Sequence, residues 1–440
     1  MRKPWVLALF FFLSGCAYFN TFYNAEQSFR KAERIYAQQG TLTPQARQEY
    51  DRVIEKCSKI LQFHPRSKYV DDALFMMAVA YSRKKEREKA KKKFEELLFY
   101  FPDAAKTFPV YLELGRLYLE EGSYDQALDA LEKALQGRHR REAQFLLAKA
   151  YLEAGRNEEG LALVQEILKR DPKSPYLKEV LWLGAQAAHQ VKQPDQALNF
   201  LKRYLSLYLT DDEEKEAKLL LSEVLTDMGE YQKALETLNS MDLPPADLAS
   251  LRRDLLKAKA QLALGDTSSA KAILRSVVRA NANSDPGLEA QYQLAFLLEM
   301  QDSIDAALDY YKRVASTYKN TPFKDRAARR VEALTQLKEI QDEESVEALY
   351  RLAELNLFEL NRPRDAADLL KTIVKQYPES EYAPKALYSL IYLYLNRFDL
   401  PDSAQRYFDL LGEKYSQSLY FEEAQKNFDL PTMTPEGGGG

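Results

Sequence analysis

The chain has 440 residues, with 62 Lys and Arg against 66 Asp and Glu and a net charge of −4. Its 16 glycines and 18 prolines punctuate a sequence rich in Ala, Leu, Glu, Lys, Gln and Arg, the composition of a chain that is helical nearly throughout. The acidic balance excludes a phosphate-tracking surface for nucleic acid, because the one dense basic run, Arg138-His139-Arg140-Arg141, is too short to make a basic face.

Residues 1–15 have the parts of a secretory signal: Arg2-Lys3, the apolar stretch Trp5 to Leu13, then small residues. A run this short cannot span the ~30 Å hydrocarbon core, which needs about 20 residues. The segment Leu13-Ser14-Gly15-Cys16 resembles the lipobox of bacterial lipoproteins, in which the cysteine is acylated and becomes the new N-terminus. The resemblance implies cleavage before Cys16, lipidation of Cys16 and a mature net charge of −6, since Arg2 and Lys3 are lost. Ala17 stands where the lipoproteins of Gram-negative bacteria carry an inner-membrane retention Asp, so the resemblance implies the periplasmic face of the outer membrane. Residues 16–24 include Tyr18, Phe19, Phe22 and Tyr23 in place of a flexible tether. These rings suit the headgroup level of a bilayer or a contact with the first helix.

Residues 25–66 predict a helical pair, Asn24 to Gln38 and Thr43 to Phe63, closed by Pro65. Beyond it a pattern repeats. Small residues recur twelve apart as Ala78 and Ala90, Gly115 and Ala127, Ala148 and Gly160, Ala185 and Ala197, Ser222 and Ala234, Ala258 and Ala270, and Ala295 and Ala307. The first member recurs every 37, 33, 37, 37, 36 and 37 residues. A fixed offset of this kind fits two antiparallel helices crossing at one close contact. An additional amphipathic helix is expected at 324–340. Copy eight then follows with Glu354 and Ala366, and copy nine with Tyr394 and Ala404.

The pattern resembles the tetratricopeptide repeat, and junctions such as Tyr377-Pro378-Glu379-Ser380-Glu381-Tyr382 resemble those of repeat lipoproteins in the outer-membrane β-barrel assembly superfamily. The implied fold is all-α, a right-handed tetratricopeptide-type α-solenoid of about nine helix pairs plus the helix at 324–340. In this scheme repeats one to seven occupy 67–323, the inserted helix 324–341, and repeats eight and nine 342–420. A capping helix at 421–428 and a disordered tail at 429–440 complete the chain.

Little points to catalysis. His64, His139 and His189 stand apart with no second ligand at metal spacing, and no phosphate loop or nucleophile motif is present, so neither a cofactor nor a metal is expected. Cys57 reads as a small buried hydrophobe on the face of Val53, Ile60 and Leu61. In tetratricopeptide arrays the residue three before the small contact of the first helix points to the concave side. That position gives Phe75, Leu112, Phe145, Trp182, Leu219, Leu255, Tyr292, Arg351 and Tyr388. Two readings stand: a groove for an apolar partner segment, or core buried between neighbouring helices. Phe75, Phe145, Trp182, Tyr292, Phe296, Tyr388 and Tyr392 are the candidate partner contacts.

The expected function is a membrane-anchored periplasmic scaffold that binds envelope proteins, with β-barrel or secretion components favoured. An adaptor for peptidoglycan synthesis or remodelling enzymes is the alternative.

Overall fold

The computed structural model describes the backbone of residues 5–103, 106–341 and 343–430, and side-chain surroundings from Asn20 onward. Among the described residues every regular element is a helix. None of these helices is long and apolar enough to cross a membrane. The chain forms two compact units, Met1–Thr237 and Leu238–Gly440.

The first unit begins with α1 (Trp5–Gln39) and α2 (Pro44–Phe63). Pairs α3 (Val70–Arg83) and α4 (Arg87–Tyr100), α5 (Thr107–Glu121) and α6 (Tyr124–Ala134), α7 (Arg140–Glu153) and α8 (Asn157–Arg170), and α9 (Leu177–Gln190) and α10 (Pro194–Leu205) follow. The last pair is α11 (Asp211–Asp227) and α12 (Tyr231–Asn239), and the division between units falls in α12. From α1 to α11 each helix packs on the next, and α1, α3, α5, α7 and α9 also contact one another in succession. This is the nearest-neighbour packing of a solenoid.

The second unit continues with α13 (Leu248–Ala263), α14 (Thr267–Asn281), α15 (Asp285–Glu299) and α16 (Ile304–Ala315). Next come α17 (Pro322–Gln341), α18 (Val346–Glu354), α19 (Pro363–Gln376), α20 (Tyr382–Asn396), α21 (Pro401–Tyr415) and the short α22 (Leu419–Asn427). The inserted helix is thus α17. It packs on both α15 and α16, the place where the first helix of a further pair would sit.

Why the pairs form is visible at the small residues. All fourteen members of the seven twelve-residue offsets are buried, twelve of them Ala or Ser with no exposed surface. The Ser222 hydroxyl donates to the Lys218 carbonyl at 2.8 Å, so its burial leaves no polar group unsatisfied. At Gly115 an added Cβ would lie 2.5 Å from Leu131 Cγ and Cδ2, so α5 and α6 approach too closely for any side chain there. Each pair then turns through one left-handed residue seven after the first small contact: Lys85, Gly122, Gly155, Lys192, Gly229, Gly265 and Asp302. The next N–H bonds back five residues, as Glu86 does to the Tyr81 carbonyl, which closes the helix end.

Copies eight and nine depart from this register. Leu355–Glu359 form one wide π-helical turn after α18, and the Arg362 N–H reaches back six residues to the Asn356 carbonyl. Leu400 does the same to Tyr394. One added residue per copy moves the close contact of copy eight from Glu354 to Ala353, which is buried, while Arg351 is exposed and Tyr350 takes the inward position. The assignments of Glu354 and Arg351 are therefore corrected to Ala353 and Tyr350.

At the start of the chain, α1 runs as one helix through 16–24, where a separate aromatic segment was expected. Nothing between Cys16 and Asn24 breaks a helix, and α1 continues until Gly40 with its φ of 65°. Phe22 is buried and stacks on Tyr69 with ring centroids 4.1 Å apart, so it packs on the first repeat, whereas Tyr23 is half exposed. The Cys16 side chain, the signal residues' side chains and the tail 431–440 lie outside the described residues.

Candidate functional site

The inward positions of the A helices are mostly core. Leu112, Leu219, Leu255 and Tyr350 are buried. Phe75 packs edge-on against Phe94 inside a hydrophobic cluster. Tyr292 lies between Tyr311 and Phe323, at 5.4 and 5.3 Å, so the start of α17 covers it. Tyr388 is covered by the end of α22, where the capping residue Phe428 lies at 5.0 Å and Asn427 Nδ2 donates to its hydroxyl at 3.1 Å. Tyr392 is half-buried in the same region, and Phe296 is exposed. Tyr292 and Tyr388 fall in separate clusters, so the structure does not bring the four second-unit aromatics into one surface.

Phe145 and Trp182 differ. They line an open groove of about 870 Å³ bounded by α7, α9 and α11, with Tyr204 of α10 and Asn157 of α8 closing one side. Its floor is aromatic: Phe145 stacks flat on Tyr176 at 5.2 Å, and Trp182 rests against Tyr204 at 5.4 Å. Successive A helices place Phe145 and Trp182 in equivalent positions one repeat apart. The next equivalent, Leu219, is smaller and fully buried.

The rim is charged and predominantly acidic, with five carboxylates (Glu153, Glu179, Asp212, Glu213 and Glu216) against Lys149 and Lys178. Lys178 Nζ pairs with Glu213 Oε1 at 2.6 Å. Glu213 also completes a capping box with Thr210 at the start of α11. The Lys178 hydrogen bond and the Thr210 backbone N–H hold the Glu213 carboxyl below the usual carboxylate range. Burial, then the nearby Glu213 carboxylate, push the Tyr204 hydroxyl up. Glu179 Oε2 is shielded from solvent and finds no donor among the described residues.

Two buried ion networks were not anticipated from sequence. In the first unit Arg83 Nη1 donates to Glu113 Oε2 at 2.8 Å, and Glu33, which accepts from Tyr50 at 2.6 Å, lies at the edge of the same group. Burial raises the Glu113 carboxyl, and the Arg83 guanidinium overrides it, so the group sits below its ordinary value. In the second unit Glu299 accepts from Tyr311, Arg330 and Arg362 at 2.9, 3.3 and 3.1 Å. Their signal in the sequence is a charged residue on a helix face that otherwise packs inward. Cys57 is a free, fully buried thiol, and burial together with Asp72 pushes it up to about 12. Among the described residues no group of three or more His, Cys, Asp or Glu is placed to hold a metal.

The geometry is that of a helical-repeat protein with an open groove on the inward side of its first unit. Family models described as tetratricopeptide repeat match residues 72–104, 118–181, 255–324 and 347–380, so the chain carries tetratricopeptide repeats in both units. Such repeats typically serve as non-catalytic interaction scaffolds. The chain is 26% identical over 217 residues to a BBSome complex member BBS4 homolog of Drosophila melanogaster, covering 47% of this chain and 43% of that protein. It is 26% identical over 129 residues to the TPR repeat-containing protein YpiA of Bacillus subtilis, 29% of each chain. It thus spans less than half the length of these curated relatives. Similar solved structures include the type IV pilus biogenesis factor PilW, at 18% identity, 50% of this chain, 98% of that one and a TM-score of 0.39. The C-terminal part of a TPR repeat-containing protein from Cytophaga hutchinsonii is similar at 15% identity, 57% of this chain, 98% of that one and a TM-score of 0.44.

Proposed function

We propose that this protein is a lipid-anchored scaffold on the periplasmic face of the outer membrane, which holds components of an envelope assembly or secretion machine. The observation that carries the binding part is the open aromatic groove lined by Phe145 and Trp182, two half-buried inward rings that leave part of their surface accessible. Large apolar rings left accessible in a concave site cost free energy unless a partner covers them, and aromatic anchors of this kind dominate protein interfaces. The anchoring part rests on Leu13-Ser14-Gly15-Cys16 following a charged and apolar start. Two or three acyl chains make such attachment stable, where a single chain binds only marginally.

Two variants test the two parts separately. Cys16→Ala should abolish palmitate incorporation and release the protein from the outer-membrane fraction; an unchanged distribution overturns the anchor. Trp182→Ala should lose the envelope proteins cross-linked to the wild type while far-UV helicity is kept. Recovery of the same set would place partner binding elsewhere on the chain.

A further inference from the structure

The groove's chemistry narrows its occupant. A neutral apolar segment would satisfy the rings of Phe145 and Trp182 but would bury the Glu179 carboxylate beside them without compensation, which is costly. Of the two rim lysines, Lys178 is already engaged by Glu213 and Lys149 lies within 3.5 Å of Glu153, while Asp212 pairs with Lys215 of the same helix at 3.0 Å. Glu179, beside the Trp182 turn of α9, presents a shielded oxygen with no donor among the described residues. An acidic segment would meet like charge on three sides, from α7, α9 and α11.

We infer that the groove takes a basic peptide segment of a partner protein, an apolar side chain seating on Phe145 and Trp182 while an adjacent Lys or Arg bonds Glu179 and faces Asp212 and Glu216. This rests on the reading of the groove as the docking surface. The rings supply the contact area, and the carboxylates select the sign of charge and speed the encounter.

The test uses the full chain and the fluorescence anisotropy of three labelled short peptides. One alternates Lys with Phe and Leu, one replaces each Lys by Glu, and one replaces each Phe and Leu by Ala. The first should bind, about tenfold or more tighter than either of the others. Its affinity should fall steeply between about 50 and about 500 mM salt. Glu179→Gln combined with Glu216→Lys should weaken it about tenfold at unchanged helicity. Trp182→Ala should weaken it comparably, with Trp182→Phe restoring most of the loss.

Equal binding of the Lys and Glu peptides, still dependent on Trp182, overturns the charge assignment and leaves the docking groove standing. Binding of the Lys peptide that ignores both Trp182 and the carboxylates overturns the site. Failure of every peptide to bind the intact wild type overturns both readings.

Discussion

Single residues decide how closely the helices of a pair approach. Alanine is normally the better helix former by about 1 kcal/mol, yet Gly115→Ala should destabilise the protein by about 1–3 kcal/mol, because its Cβ meets the fully buried Leu131. Urea denaturation checks the sign, and a gain in stability would show that α5 and α6 can part. Glu113 carries a pH dependence of definite direction. Its folded pKa lies below the ordinary value, so the stability it contributes is fully present above the unfolded carboxylate range and is lost as pH falls through the folded pKa. Glu113→Gln removes the nearer of the two carboxylates on the buried Arg83, leaving Glu33 at 3.5 Å, and should cost about 3 kcal/mol at neutral pH. That deficit should shrink as pH drops below about 4. Denaturation midpoints measured against pH test this, and a deficit independent of pH would show that Arg83 is satisfied by Glu33 alone.

Elements are where sequence and structure part. The helix pairs were legible because a small residue and its partner twelve positions on leave little choice of packing. The inward ladder was legible as a set of positions, but its burial depends on how neighbouring pairs wind and on which later helices cover it. Nothing local to Tyr292 or Tyr388 announces that α17 or α22 will cover it. The register error in copy eight did leave a trace: Arg351 was the one polar residue in the ladder, and the true inward residue is Tyr350, bonded to Ser389 at 2.9 Å. The irregular stretch from α15 to α19 is joined by Glu299, whose three donors come from three different helices or their caps. Glu299→Gln should therefore lower the stability of the second unit by about 3 kcal/mol. In a Glu299→Gln, Arg362→Met double variant the loss should be clearly less than the sum, since the pair acts together. Additive losses in denaturant titrations would dissolve the network into independent contacts.

For the whole molecule, the array reads as continuous in sequence, and the structure divides it. The 36-residue step from Ser222 to Ala258 passes over the division in α12 with no change of period, so periodicity alone does not reveal it. The site lies within one unit, where three consecutive A helices bring together residues as far apart as Phe145 and Glu216. The sequence showed the two rings. It did not show the acidic rim, because surface carboxylates on successive helices share a face only once the stacking is known.

The wide turn at Leu355–Glu359 has a consequence for how such a chain can change. One residue added to a regular helix rotates everything beyond it by about 100°, which would swing an entire buried face into water. Here the surplus is parked within a single turn, with Phe358 pushed out to the surface, and Ala366 keeps its place against the preceding helix. The array is thus tolerant of miscounting: an insertion is stored as a local bulge instead of being passed down the chain as a phase error.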